Sequence, residues 1–275
     1  MKLFIRNDQD QVADFTANYI KQRILDFDPT PSKPFVLGLP TGSSPIGVYK
    51  RLVEFYQKGI LSFRNVITFN MDEYVGLARD HPESYYSFMW SHLFSKVDIK
   101  YEEKIRQVGG IELFLGGIGP DGHIAFNEPG SSLESRTRVK TLAYETIIAN
   151  ARFFENDIHK VPKLALTVGV RTVMDAREVV IIITGAHKAL ALSKCIEEGL
   201  NHMWTVSAIQ IHPRSVVVCD DDATLELHVK TVRYFKSIEK VQQELVLQKG
   251  TEVGGINTKP STAAVSSNTN PLGAL

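Results

Sequence analysis

Cysteine is scarce: Cys195 and Cys219 are the only two in 275 residues, and they stand far apart, outside any Cys-x-x-Cys pair. Neither a disulfide framework nor a thiolate zinc site is suggested. An excess of one charge sign is also missing, since 31 basic residues balance 31 acidic ones. No global field therefore draws the chain to nucleic acid or to an anionic membrane, and any anion it binds must be held locally. No apolar run approaches the length that spans a bilayer, and residues 1–6 lack the apolar stretch of a signal peptide. The expectation is a cytoplasmic protein without nucleic-acid or membrane partners.

What the chain does have is enough apolar residue, 43%, to bury a large core. Short apolar runs at 2–5, 35–39, 66–69, 111–115, 165–168, 179–184 and 215–219 alternate with amphipathic stretches at 9–26, 45–58, 82–95, 144–153, 186–198 and 223–247. That alternation predicts an α/β fold: a single-domain, open, mainly parallel sheet flanked by helices, Rossmann-like in class, over residues 1–248. From 249 the composition shifts to Gly, Thr, Ser, Asn and Pro. Such a tail buries too little apolar area to offset its ordering entropy and is expected to be disordered.

Three junctions concentrate chemistry. The first, residues 37–47, runs off a strand into a helix through Pro40-Thr41-Gly42-Ser43-Ser44-Pro45, with Pro45 read as the first helical residue. Free backbone N–H groups, the positive end of a helix dipole and three hydroxyls suit a phosphate. A capped helix after a tight turn would look the same. The Gly-Lys-Ser/Thr of a nucleotide-binding loop is absent, which favours a small sugar phosphate. The second junction places Asp72 and Glu73 at the end of the 66–69 strand. That edge is where open α/β sheets bind ligands, and a carboxylate there can move a proton between sugar carbons without a metal. Either acid could equally cap the next element. The third is the glycine-rich run Gly116-Gly117-Ile118-Gly119-Pro120-Asp121-Gly122-His123, followed by Glu128. Glycine allows close approach to a ligand, and a carboxylate beside His123 can fix its tautomer while it transfers a proton. Asp, His and Glu together could also hold a metal, but no His-x-x-x-His pair or matching cysteine supports one.

These residues resemble the glucosamine-6-phosphate deaminase family, in the segments 37–45, 69–74, 116–129 and 201–205, the last being Asn201-His202-Met203-Trp204-Thr205. The resemblance runs from Met1 to about Phe235 and leaves out the tail. It implies a cofactor-free and metal-free hydrolase that isomerises an aldose to a ketose. Glucosamine 6-phosphate and water would give fructose 6-phosphate and ammonia. Asp72 would move the C2 proton, His123 would assist ring opening with Asp121 and Glu128, and Thr41, Gly42, Ser43, Arg152 and Lys188 would hold the phosphate. A homohexamer is also implied, with N-acetylglucosamine 6-phosphate as activator at Ser131, Arg138, Lys140 and Tyr234.

Two departures stand out. Where the family carries about 20 more residues, enough for a strand and the first turns of a helix, Asp98-Ile99-Lys100 passes almost directly into Tyr101. Arg171 stands where the family has glycine, which would strain the backbone if that glycine serves a positive φ or close packing, or point harmlessly to solvent. Two other readings therefore stay open: a 6-phosphogluconolactonase-like hydrolase, which shares the Gly-Pro-Asp-Gly-His type of loop but is not expected to carry Phe126-Asn127-Glu128-Pro129, and a catalytically impaired sugar-phosphate-binding regulator.

Overall fold

The computed structural model describes residues 1–99 and 109–253. In chain order the elements are β1 (Lys2–Arg6), α1 (Gln9–Phe27), β2 (Phe35–Leu39), α2 (Ile46–Gln57), β3 (Val66–Asn70), β4 (Asp72–Tyr74), α3 (Tyr85–His92), β5 (Leu113–Gly117), β6 (Arg138–Thr141), α4 (Tyr144–Ala151), β7 (Leu164–Thr167), α5 (Val170–Met174), β8 (Val179–Ile183), α6 (Ala189–Ile196), β9 (Ser215–Asp220) and α7 (Val229–Val253). Backbone contacts group Met1–Lys236 into one compact unit and the chain from Ser237 into another, which among the described residues holds the remainder of α7.

Six strands form an all-parallel sheet in the order β1-β9-β8-β5-β2-β3. The near-continuous apolar runs follow from this arrangement, because a parallel sheet is covered on both faces and every residue of β2, β8 and β9 is buried. Alternate side chains go to opposite faces. Leu37, Leu113, Val180 and Val218 pack with α1 and α2 through Ile20, Tyr49 and Leu52. On the other face Phe114, Ile181 and Val217 pack with Leu192 and Cys195 of α6 and with Val206 and Ile209. At its outset α1 is capped by Asp8, whose side chain accepts from the Gln11 amide at 2.8 Å.

The 165–168 run does not join this sheet. As β7 it lies between β4 and β6 in a separate three-stranded antiparallel sheet, where Ala165 is buried and Leu164 and Leu166 are exposed. Beneath it, Tyr74, Phe126, Leu142, Phe154 and Ala165 form a third cluster. Helix boundaries shift as well. Pro45 caps α2 from outside rather than opening it. The expected 186–198 helix begins as a 3₁₀ turn at Ala186–Lys188 because Gly185 enters it at φ 89°. The last helix begins at Val229, after a 3₁₀ turn at Asp222–Thr224, and runs on to Val253. The expected tail falls outside the described residues from 254 on, and so do residues 100–108, where the shortened stretch lies.

Arg171 is not strained. It is the second residue of α5, and its guanidinium reaches Asp175 at 3.0 Å and Glu134 at 3.4 Å on the surface. The close-packed glycine of this turn is Gly169, whose added Cβ would fall 2.0 Å from the Ser135 carbonyl oxygen. Arg171→Gly should therefore bring no gain. Exposed pairs add little stability, and glycine disfavours a helix more than arginine does. A thermal melt should show a slightly lower midpoint with turnover unchanged.

Candidate functional site

All six parallel strands present their C-terminal ends to one edge. The strand order reverses there: β2 is followed in the sheet by β3 on one side, whereas β5 is followed by β8 on the other. The crevice between β2 and β5 is thus a topological switch point, where open α/β sheets bind ligands. The 40–45 loop and the 118–128 loop flank it. The two loops approach each other at Gly117 and Ser44, where a Cβ on the glycine would lie 3.9 Å from Ser44 Oγ, an ordinary contact distance.

The 40–45 loop is pinned from beneath by Tyr49, a fully buried residue of α2 that donates its hydroxyl proton to the Pro40 carbonyl. Gly42 takes φ 90° in the turn. Lys188, buried in the turn after β8, donates from Nζ to Ser44 Oγ at 3.2 Å. Burial lowers the pKa of its ammonium, Asp220 opposes that, and Arg152 at the end of α4 adds to it. Ser44, Lys188 and Arg152 thus define one electropositive corner, with Ser43 exposed beside it. Ser44, rather than Ser43, is the hydroxyl that meets the lysine.

The two acids after β3 have different roles. Glu73 caps α3: its carboxylate accepts from the amides of Tyr74 at 2.9 Å, Tyr85 at 3.1 Å and Tyr86 at 3.1 Å. Asp72 opens β4 opposite Thr167 and accepts no hydrogen bond among the described residues. Burial, reinforced by the negative charge of Glu73, pushes its pKa up to about 8. Near it is the half-buried Tyr85, whose hydroxyl also interacts with Tyr74 and Thr41. Sequence reading missed Tyr85, although its place one residue after the Ser84 cap of α3 is a local signal.

Across the crevice, His123 Nδ1 lies 2.7 Å from Asp121 Oδ1. Gly119 makes this approach possible, because a Cβ there would fall 2.4 Å from the imidazole and 2.5 Å from the carboxylate. Burial works to raise the Asp121 pKa, but the His123 side chain and the backbone amides of Asp121 and His123 outweigh it and hold it below the usual range. Asp121 is therefore held ionised against the imidazole. Past His123, Ala125 takes φ 53°, a rare conformation for a side-chain-bearing residue.

Glu128 follows three residues later. Its buried carboxylate accepts from the Ala143 amide at 2.9 Å and from Thr146 Oγ1 at 2.6 Å, anchoring the start of α4, and it makes no hydrogen bond or ion pair with His123 or Asp121. Behind the loop, Thr205 Oγ1 accepts from the Ile124 amide at 3.1 Å and donates to the Asn127 carbonyl at 2.9 Å, which accounts for the 201–205 segment. Of the four residues read as an activator site, Lys140 donates to Ser131 at 2.6 Å and Arg138 stands two residues from it on β6. Tyr234 is on a different element, α7, with an exposed ring against Phe235. Lys140 also feels Glu128: burial lowers its pKa, Glu128 opposes this and Arg138 adds to it.

A parallel sheet with an anion corner, an isolated carboxylate and an Asp–His pair at its switch point defines a class of sugar-phosphate enzymes, and the family model for glucosamine-6-phosphate isomerases/6-phosphogluconolactonase matches residues 99–219. Within that class the chain belongs to the glucosamine-6-phosphate deaminase family. It is 63% identical to glucosamine-6-phosphate deaminase 1 of Bos taurus over 90% of this chain and 92% of that one. The corresponding Homo sapiens protein is 60% identical, over 94% and 99%. The bovine alignment extends over 266 residues yet covers only 90% of this 275-residue chain, so it contains gaps on this side, in keeping with a shortened chain. Among solved structures, a monomeric glucosamine-6-phosphate deaminase superposes with a TM-score of 0.77 at 34% identity, covering 82% of this chain and all of that one. The 6-phosphogluconolactonase of Trypanosoma cruzi, with a TM-score of 0.62 at 17% identity over 82% and 96%, shares the fold.

Proposed function

We propose that this protein converts glucosamine 6-phosphate and water to fructose 6-phosphate and ammonia without a cofactor. The observation that carries the reading is Asp72 beside the switch point, whose carboxylate accepts no hydrogen bond among the described residues and whose pKa of about 8 suits a base that must also give its proton back. Ser44, Lys188 and Arg152, with Thr41, Gly42 and Ser43 alongside, hold the phosphate and fix the sugar's orientation. His123, oriented by Asp121, takes the proton of the ring hemiacetal and returns one to the ring oxygen, which opens the pyranose. Asp72 removes the C2 proton to give an enolamine and delivers it to C1, leaving an imine at C2. Water adds to C2, and loss of ammonia leaves the ketone. Glu128 acts by anchoring α4, whose far end presents Arg152.

The catalytic unit is residues 1–248, working in the cytoplasm as a homohexamer activated by N-acetylglucosamine 6-phosphate. The joined Ser131 and Lys140 with Arg138 beside them support the activator site, and the exposed Val139, Leu164 and Leu166 on paired strands support self-association.

Ammonia release from glucosamine 6-phosphate by the purified protein, with and without N-acetylglucosamine 6-phosphate, tests the reading. Turnover is expected in both, with higher apparent affinity in the presence of the activator. Hydrolysis of 6-phosphogluconolactone without ammonia release would assign the lactonase reaction instead. Sugar-phosphate binding without either product would make the protein a regulator.

A further inference from the structure

The turn that carries Lys188 is held from outside by a residue so far without a role. Asp220 is the last residue of β9, 3% exposed, and β9 lies beside β8 with Cys219 opposite Ile183. Both its carboxylate oxygens accept from the Gly185 amide, at 2.9 and 3.0 Å, and Oδ1 also accepts from the Ala223 amide at 2.9 Å. Gly185 in turn accepts from the Lys188 amide at 3.0 Å, closing the 3₁₀ turn from which Nζ reaches Ser44. A buried carboxylate next to an anion-binding corner works against anion binding unless it serves a cation.

We propose that Asp220 is a positioning residue of the phosphate site, fixing the turn that presents Lys188 and supplying that lysine's counter-charge. The inference rests on the reading of Lys188 as a phosphate ligand. The charged groups acting on Lys188 are Asp220 from β9, which favours the ammonium, and Arg152 from α4, which disfavours it together with burial. Without Asp220 the lysine sheds its proton at lower pH and its side chain is less firmly aimed. A carboxylate that merely ties β9 to the following turn would affect folding but not this titration.

The test is ammonia release by the full chain carrying Asp220→Asn, across neutral to alkaline pH, in the wild-type and Lys188→Met backgrounds. Asp220→Asn should raise KM for glucosamine 6-phosphate about tenfold with kcat within about threefold, the KM effect growing with pH. In the Lys188→Met background it should add nothing. An unchanged KM, or a rise that ignores pH and is equal in both backgrounds, overturns the proposal. If Lys188→Met alone leaves KM unchanged, the phosphate reading itself is wrong, a result separable from the first. Should Asp220→Asn not fold, Asp220→Glu keeps the charge but displaces the turn: a raised KM with a wild-type pH profile supports the proposal, and an unaltered KM overturns it.

Discussion

Asp72→Asn should lower ammonia release by about a thousandfold or more while sugar-phosphate binding stays within a few fold, since general-base transfer contributes about 10² to 10⁴ and Asp72 has no part in holding the phosphate. Glu73 cannot substitute, because the amides of Tyr74, Tyr85 and Tyr86 occupy it. The wild-type pH profile follows from the same burial. With Asp72 at about 8, the acid limb of kcat/KM should climb tenfold per pH unit and bend near that value. Folding stability runs the other way. The ordinary carboxyl pKa is 3.8 and the folded one about 8, so between them the unfolded chain has lost a proton that the native state keeps, and stability falls as pH rises through this window. Asp72→Asn removes the penalty. Its melting temperature should exceed wild type at pH values above about 8 and converge on it towards pH 4. A thermal melt series beside the rate profile checks both, and a flat kcat/KM across this range would rule out Asp72 as the titrating base.

What was legible in the chain and what was not divide along physical lines. The 179–184 run reads as a strand, and its continuous apolar pattern is what a central parallel strand needs; it became β8, Val179–Ile183. The 165–168 run reads as a strand too, but local pattern cannot say which sheet it joins, and it pairs with Glu73 and Val139 in the small antiparallel one. The glycines were read as allowing close approach to a ligand; what Gly119 makes room for is the His123 imidazole and the Asp121 carboxylate. Nothing local separates Asp72 from Glu73. Their difference arises because the first amides of α3 donate to Glu73 and not to Asp72, a tertiary fact. Glu128 is five residues from His123 in sequence, and nothing local announces that its carboxylate accepts from Ala143 and Thr146 at the start of α4. Asp220 gave no signal at all, since its partner Gly185 is 35 residues away.

Asn127→Ala should be the most damaging substitution for stability at the site. Asn127 is fully buried and uses both ends of its amide: Nδ2 donates to the carbonyls of Ile124 at 2.9 Å and Val168 at 2.7 Å, and Oδ1 accepts from Arg138 at 2.8 Å. Through it the His123 loop, the end of β7 and the start of β6 are joined in one network. Truncation leaves two buried carbonyls without this donor and removes an acceptor from a guanidinium. Ile124 O keeps the Asn127 backbone amide and Val168 O keeps Thr167 Oγ1, so at about 1 kcal/mol for each of the three bonds lost the cost should reach about 3 kcal/mol. For a chain of this size that corresponds to a fall in melting temperature of about 10 °C. Asn127→Asp separates the two ends of the amide. A carboxylate still accepts from Arg138 but offers no proton to Ile124 or Val168 and sets a negative charge beside their carbonyls. If the donors to the loop matter most, Asp is as destabilising as Ala and lowers kcat with it, because Ile124 adjoins His123. If the link to Arg138 matters most, Asp retains most of the stability and the rate. Urea denaturation and steady-state turnover on the two variants decide between these, and the double bond to Ile124 and Val168 favours the first.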